Sequence, residues 1–277
     1  NQYKANNYYE YTKALAGDTL QELFFTKYPE KLWGIPTKEL DANWAPKRVQ
    51  ITEERRAFYQ DQWSAVGNEG SGTILGCLEK KVLDLGGVIN LEETIQNIQL
   101  SNSNNINKIV TDKRDINLMP KDIVINTTSC TNFSRFLGFE TNLKYRGVIL
   151  VMLELSTAKV LPEGVDFIYI DDEDIFFNRV SDQNSFIKDP SPDTTIMCCE
   201  ITYSPDDKYD VMNEDELFNN VKTQFASLGL CKLDQITDFK VIKLPEVYPM
   251  YIKGYQAALA ETREKFDKIL NLYTLGS

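Results

Sequence analysis

The segment that most constrains the fold is the apolar stretch Tyr145–Leu155 in the middle of the chain. Its longest uninterrupted apolar run, from Val148 to Leu153, is far below the roughly 18 to 20 residues of a membrane helix. We therefore expect no transmembrane segment, and we interpret the stretch as a buried β-strand. With 277 residues, of which 42% are hydrophobic, the chain can bury the core of one large domain or two small ones.

The chain contains no histidine, which excludes histidine general bases, histidine-containing triads and imidazole metal sites. The five cysteines form no CxxC pair, so we expect no zinc–thiolate site and no metal. An odd number of cysteines argues against a disulfide framework. Since no charged-then-apolar leader is visible, we expect a cytoplasmic protein with reduced thiols at Cys77, Cys130, Cys198, Cys199 and Cys231.

The net charge of −11 is concentrated in one segment, residues 163–216, which has 16 acidic and three basic residues. This balance opposes nucleic-acid binding through a broad basic face. One interpretation of the segment is a solvated acidic surface. The alternative is a cation site formed by the consecutive carboxylates from Asp171 to Asp174, although they lack the spacing of known calcium loops.

Hydrophobic periodicity predicts helices over residues 15–28, 73–85, 214–228 and 255–269, the first with Asp18 as its N-cap. Short helices are expected near Trp44 and Arg48. Ten short segments are predicted to be strands: 87–90, 94–100, 108–111, 122–127, 145–155, 167–170, 176–180, 195–203, 238–244 and 270–275. Because strict βαβ alternation is missing, we predict an α+β (complex α/β) class. It would have a helical N-terminal third and a mixed sheet of at least five strands.

Three segments could carry chemistry. In residues 176–186, an arginine beside Asn178 could hold a phosphate or carboxylate bidentately, or could only neutralise the acidic surroundings. In residues 245–255, three tyrosines could bind a sugar or ring, or could form a packed aromatic loop. The loop from Gly67 to Gly72 could present N–H groups to a phosphate, but without a lysine or a preceding strand we favour an ordinary loop.

Seven segments in a fixed order resemble motifs of the flavin-dependent amine oxidase-like proteins, in particular their protoporphyrinogen oxidase-like and UDP-galactopyranose mutase-like members. The first, LFFTKYPEKLWGIP at residues 23–36, is similar to the family's LFFKPYTEKVWGMP. The others are residues 39–48, 86–98, 122–128, 145–151, 177–185 and the C-terminal pair 245–255 with 271–276. The family's N-terminal GxGxxG turn and its C-terminal FAD segment have no counterpart here, so the chain resembles an interior part of such a flavoprotein.

The resemblance implies the substrate domain and part of the FAD domain of this fold. It divides the chain into a helical part of the substrate domain (1–75), a partial FAD-domain-like segment (76–130), a β-rich substrate-binding domain (131–245) and a helix and strand that return to the FAD domain (246–277). Matching motif residues would line the substrate cleft: Arg179, Asn178, Tyr248, Tyr251 and Tyr255, with Arg146 and Glu200 as further candidates. Cofactor contacts would come from Ile95, Thr127 and Gly276.

The function implied is that of an FAD-dependent oxidoreductase or sugar-nucleotide mutase acting on a nucleotide-linked sugar in surface-polysaccharide or lipopolysaccharide precursor synthesis. The flavin would carry the chemistry, and the protein would bind and orient the substrate. The alternative is a non-catalytic binding or scaffold module without the cofactor site. Because the chain has no glycine-rich dinucleotide turn, we expect residues 1–277 alone to bind FAD poorly and to be inactive alone.

Overall fold

The computed structural model describes residues 5–47, 49, 70–187 and 189–275. Arg48, Gly276 and most of the loop that ends at Gly72 lie outside these residues. Contacts between Cα atoms divide the chain into two units. Unit 1 comprises the described residues of Asn1–Leu85 and Tyr145–Tyr248, and unit 2 those of Gly86–Lys144 and Pro249–Ser277.

The described residues form helices and several β-sheets, which confirms the predicted α+β class. The α-helices are α1 (Tyr8–Phe24), α2 (Lys27–Trp33), α3 (Gly72–Asp84), α4 (Cys130–Phe136), α5 (Lys208–Val211), α6 (Glu214–Ser227) and α7 (Tyr255–Phe266). The strands are β1 (Ile95–Leu100), β2 (Ile106–Thr111), β3 (Asp115–Asn117), β4 (Val124–Asn126), β5 (Tyr145–Leu155), β6 (Phe167–Tyr169), β7 (Arg179–Asp182), β8 (Thr195–Tyr203), β9 (Ile236–Pro249) and β10 (Leu272–Thr274). No helix in the described part of the chain has both the length and the apolar character needed to cross a membrane.

Unit 1 is built on a five-stranded sheet with the order β6-β7-β8-β5-β9. Its strands β5 and β8 are antiparallel over the whole length of β8 and nine residues of β5, from Gly147 opposite Tyr203 to Leu155 opposite Thr195. A Cβ atom at Gly147 would lie 2.3 Å from the Tyr203 ring, so only glycine fits this position. The pairing therefore confirms both strand predictions at their full length.

One face of this sheet forms the core of unit 1. Ile149, Val151 and Leu153 of β5 are fully buried there, because alternate residues of a strand point to the same face. Helix α6 packs against them with its own fully buried residues, Leu217, Val221 and Phe225, as its periodicity predicts. The capping box of Asn213 and Glu216 defines the start of this helix. The alternate residues of these strands point to the opposite face of the sheet.

The N-terminal helices pack through aromatic rings. The Trp44 ring centroid lies 4.9 Å from that of Tyr8 and 5.3 Å from that of Trp33, and all three side chains are buried. Helix α1 begins at the N-cap Asn7, and Gly17 with φ of 76° kinks it. Gly17 is non-helical, with φ of 76° and ψ of 175°, so two helical segments meet here. The predicted helix start at Asp18 lies one residue after this break, whereas the first segment begins at Tyr8.

Unit 2 contains the antiparallel sheet β1-β2-β3 and a separate parallel pair of β4 with β10. Asn271 joins the two: its amide oxygen accepts from the Ile106 N–H at 2.8 Å, and its amide nitrogen donates to the carbonyls of Ile106 at 3.0 Å and Asp122 at 3.3 Å. Residues 87–90, predicted to be a strand, are irregular and exposed. An apolar segment forms a β-strand only if another strand lies beside it, and among the described residues no strand pairs with residues 87–90.

We expect Asn271→Ala to lower the free energy of unfolding by about 2–4 kcal/mol, because it leaves the buried N–H and C=O of Ile106 without their side-chain partner. The measurement is urea unfolding followed by circular dichroism. Asn97→Ala is the matched control, since Asn97 is exposed on β1 of the same unit and should cost no more than about 0.5 kcal/mol. Equal losses from both variants would contradict the bridging role of Asn271.

Candidate functional site

Arg179 and Glu200 form an ion pair on the sheet face opposite α6. The two residues are directly opposite in the register of β7 and β8, so their side chains lie on the same face. Arg179 Nε donates to Glu200 Oε1 at 2.8 Å, and its Nη2 donates to the same oxygen. The Glu200 side chain is 9% exposed and that of Arg179 is 37% exposed. Sheet register therefore brings together two of the residues that the sequence predicted for the substrate cleft.

The pair keeps Arg179 charged. Burial lowers the pKa of the guanidinium, but the hydrogen bond and charge of Glu200 outweigh this, so the pKa is raised overall. Cys198, the neighbour of this pair on the same strand, is buried, and burial together with the Glu200 charge raises the pKa of its thiol to about 12. Cys198 therefore stays protonated near neutral pH and does not act as a nucleophile.

Tyr28 and Asn178 extend the site beside the ion pair. Burial raises the pKa of the Tyr28 hydroxyl, and the adjacent Asn178 side chain acts in the opposite direction. Asn178 is 2% exposed, and its amide oxygen has no hydrogen-bond partner among the described residues. A buried acceptor without a partner is costly, so this oxygen can receive a donor from a ligand.

Two further tyrosines surround the group. The Tyr169 ring centroid lies 4.9 Å from that of Tyr28, and the Tyr248 ring lies 6.3 Å from that of Trp33. Sequence reasoning had assigned Tyr28 only to a helix face and Tyr169 to a strand. The resemblance of residues 23–36 to a family motif was the one signal that pointed to Tyr28.

Lys31 fixes the loop that leads into this site. Its Nζ donates to the carbonyl oxygens of Phe177 at 2.8 Å, Asp172 at 2.7 Å and Ile170 at 3.1 Å. Burial lowers the pKa of Lys31 to about 8, although nearby Asp172 acts in the opposite direction. The three bonds join α2, which carries Tyr28, to the segment that precedes Asn178.

The acidic residues from Asp171 to Asp174 are exposed on this loop. Asp172 Oδ1 accepts from the backbone N–H of Asp174 at 2.9 Å. Among the described residues, no group of three or more acidic or cysteine side chains is arranged to hold a metal ion. The geometry therefore favours the solvated acidic surface over the cation site.

Arg146, the other predicted arginine, has different partners. Its Nη1 donates to Ser204 Oγ at 2.9 Å and its Nη2 to the Thr202 carbonyl at 2.9 Å. The guanidinium also lies against Gly34, where a Cβ would come within 1.9 Å of Nη1. Within the described residues, no hydrogen bond or ion pair links Arg146 to Arg179 or Glu200, and its role in the substrate cleft stays a prediction.

The remaining predicted residues belong to unit 2. Tyr251 and Tyr255 pack edge to face with ring centroids 5.2 Å apart, at the turn that opens α7. Ile95 is the first residue of β1, and Thr127 is exposed directly after β4. The third cofactor candidate, Gly276, is not among the described residues.

The parallel pair of β4 and β10 exposes two apolar side chains. Ile125 and Tyr273 are opposite in its register, and they are 58% and 57% exposed. Exposed Thr127 lies at the carboxyl end of β4.

A family model described as GLF: UDP-galactopyranose mutase matches residues 23–224 of the chain. The structure is similar to a crystal structure of reduced UDP-galactopyranose mutase, with a TM-score of 0.76 and 15% identity over 99% of this chain and 63% of that chain. It also resembles a cyclohexylamine oxidase from Brevibacterium oxydans, with a TM-score of 0.61 and 11% identity over 98% of this chain and 62% of that chain.

A third similar structure is described as a protoporphyrinogen oxidase from an Exiguobacterium species, with a TM-score of 0.61 and 16% identity over 76% of this chain and 46% of that chain. None of the curated proteins matches the sequence. The structural likenesses, all at low identity, establish the fold, and the chain spans less than two thirds of the length of each structure.

We expect Arg179→Met to lower the free energy of unfolding by about 2 kcal/mol, because it leaves the nearly buried Glu200 carboxylate without its counter-charge. Glu200→Leu should cost less, since half-exposed Arg179 can turn toward water. The double variant should therefore be more stable than Arg179→Met alone. Urea unfolding of all four proteins tests this, and strictly additive losses would contradict the pairing.

Lys31→Met should destabilise the chain by about 1–3 kcal/mol, because three carbonyl oxygens lose a charged donor. Lys27→Met is the matched control on the same helix, where the lysine is exposed. Thermal unfolding of the two variants provides the comparison. A Lys31→Met protein as stable as Lys27→Met would show that the three bonds do not hold the loop.

Proposed function

This chain belongs to the UDP-galactopyranose mutase family, and we propose that it forms the nucleotide-sugar-binding part of an FAD-dependent enzyme. Its substrate would be a UDP-linked sugar, and its product a precursor of surface polysaccharide. The observation that carries the proposal is the Arg179–Glu200 pair, with Arg179 partly exposed, within the segment that the family model matches. Three neighbouring features support it: the Tyr28 hydroxyl, the unpaired Asn178 oxygen and Tyr248.

In this proposal Arg179 binds the diphosphate of the substrate. A guanidinium has five N–H donors, and within the described residues those of Arg179 make bonds only to one oxygen of Glu200. The remaining donors can hold phosphate oxygens in a bidentate arrangement. Glu200 keeps the guanidinium in position and charged, which matters because the surrounding segment is strongly acidic. The anionic ligand would thus meet a single oriented cation rather than a basic surface.

The tyrosines would bind the rings of the substrate. Tyr28, Tyr169 and Tyr248 each offer a flat apolar face and a hydroxyl, which suits a sugar or a nucleobase. The unpaired oxygen of Asn178 would accept a hydrogen bond from a sugar hydroxyl. Tyr251 and Tyr255, proposed from the sequence resemblance, would contribute from unit 2.

FAD would be held in part by unit 2. We propose contacts from Ile95, Thr127 and Gly276, with the exposed side chains of Ile125 and Tyr273 against its flat ring system. The bound flavin would supply the redox or group-transfer chemistry, and the side chains of this chain would bind and orient the sugar next to it. The protein expressed from its complete reading frame should then show flavin absorbance after purification. A colourless protein would favour a binding module without the cofactor.

For the protein expressed from its complete reading frame, we expect Arg179→Lys to weaken the binding of UDP-galactopyranose about tenfold, because lysine keeps the charge but loses the planar fork. Isothermal titration calorimetry measures the change. Arg114→Lys is the matched control, since Arg114 makes a similar pair with Glu93 in unit 2, with Nε and Oε1 2.8 Å apart. Unchanged affinity in Arg179→Lys, or an equal loss in Arg114→Lys, would refute the assignment of Arg179 to the diphosphate.

A further inference from the structure

A cavity of about 580 Å³ in unit 1 lies beside Arg146, and Asn178, the chain neighbour of Arg179, also lines it. Its lining includes Gly34 at the end of α2, Thr202 and Ser204 at the end of β8, and Lys208 at the start of α5. The volume is within the range of roughly 300–1,000 Å³ that small-molecule sites occupy. Arg179 is not among the residues that line it.

Arg146 lines this cavity with a buried guanidinium, one nitrogen of which has no hydrogen-bond partner among the described residues. The residue is 5% exposed, and burial lowers the pKa of its guanidinium, with Asp207 acting in the opposite direction. Its Nε has no hydrogen-bond partner among the described residues. The ion pairs found in the described part of the chain do not include Arg146. A cation buried without a carboxylate partner is unfavourable, and an anion in the adjacent cavity would compensate it.

Lys208 adds a second cation at the cavity wall. Its Nζ lies 4.8 Å from the ring centroid of Tyr209 and 5.3 Å from that of Phe176, so it is held over two aromatic rings. Lys208, like Arg146, takes part in none of the ion pairs of the described residues. The exposed ammonium is therefore placed to contact a ligand that enters the cavity.

The carboxylates that line the cavity are already engaged or exposed. Asp207 accepts from the backbone N–H groups of Ser204, Tyr209 and Asp210, as the N-cap of α5. Glu30 accepts from the backbone N–H and the hydroxyl of Thr37. The third, Glu173, is exposed to solvent. Lys31 also lines the cavity, but its three protons are bonded to carbonyl oxygens, so the available cations are Arg146 and Lys208.

The rest of the lining is largely apolar. Ile35 and Pro36 follow Gly34 on one side, and the rings of Phe176 and Tyr209 lie on the other. We propose that this cavity binds a small organic anion, in which a phosphate or carboxylate group lies near Arg146 and Lys208 and a flat apolar portion contacts these four residues. Arg179 does not line the cavity but Asn178 does, so the cavity adjoins the proposed sugar site. The proposal rests on Arg146 and Lys208 and does not depend on that function.

Phenyl phosphate is a suitable probe, because it combines an anionic group with an aromatic ring. Calorimetric titration of the full chain should show saturable binding, weakened about fivefold or more by Lys208→Gln, which removes one of the two available cations. Lys222→Gln is the matched control and should bind like the unmodified chain. Lys222 also lies over a phenylalanine ring, 5.4 Å from the centroid of Phe218, but it does not line the cavity.

Two further titrations separate this site from others. Arg179→Lys should leave phenyl phosphate binding unchanged, since Arg179 is outside the cavity, and inorganic phosphate should bind more weakly because it lacks the ring. The proposal is overturned if no saturable binding occurs, or if Lys208→Gln binds as tightly as Lys222→Gln. It is equally overturned if Arg179→Lys abolishes binding while Lys208→Gln does not.

Discussion

The antiparallel pairing of β5 with β8 is the interaction on which unit 1 depends. It runs the full length of β8, and it ends at the contact of Gly147 with the Tyr203 ring, which only glycine permits. Because side chains alternate along each strand, this single register determines both faces of the sheet. One face supplies the core beneath α6, and the other places Glu200 opposite Arg179. A shift of one residue would exchange the two faces and remove the site together with the core.

The same register places Arg179, the proposed anion-binding residue, beside Glu200 inside a strongly acidic segment. Residues 163–216 carry most of the excess negative charge of the chain, and the field around them opposes a phosphate. Glu200 belongs to that segment, yet its contact with Arg179 is what keeps the guanidinium oriented and charged. Arg146, on β5, is instead held by Thr202 and Ser204. The two arginines therefore lie on the same face of the sheet, opposite α6, and are held by different partners.

In unit 2 the corresponding connection is made by one side chain, that of Asn271. Asn271 supplies the hydrogen bonds that connect Ile106 of β2 with Asp122 before β4. The adjoining parallel pair of β4 and β10 leaves Ile125 and Tyr273 exposed, although parallel strands are usually covered on both faces. These apolar residues provide the surface to which we assign part of the flavin contact.

Periodicity was sufficient to predict Tyr145–Leu155, Thr195–Tyr203 and α6, and the ordered motifs indicated the family. It was misleading at residues 87–90, an apolar run that forms no strand, and it gave the break at Gly17 but not the helix start at Tyr8. Which charges pair was visible only in the folded chain. The pairing of Arg179 with Glu200 and the cavity beside Arg146 join residues distant in sequence. Strand register and helix packing bring these residues together, and the spacing of apolar residues in the sequence predicts neither register nor packing.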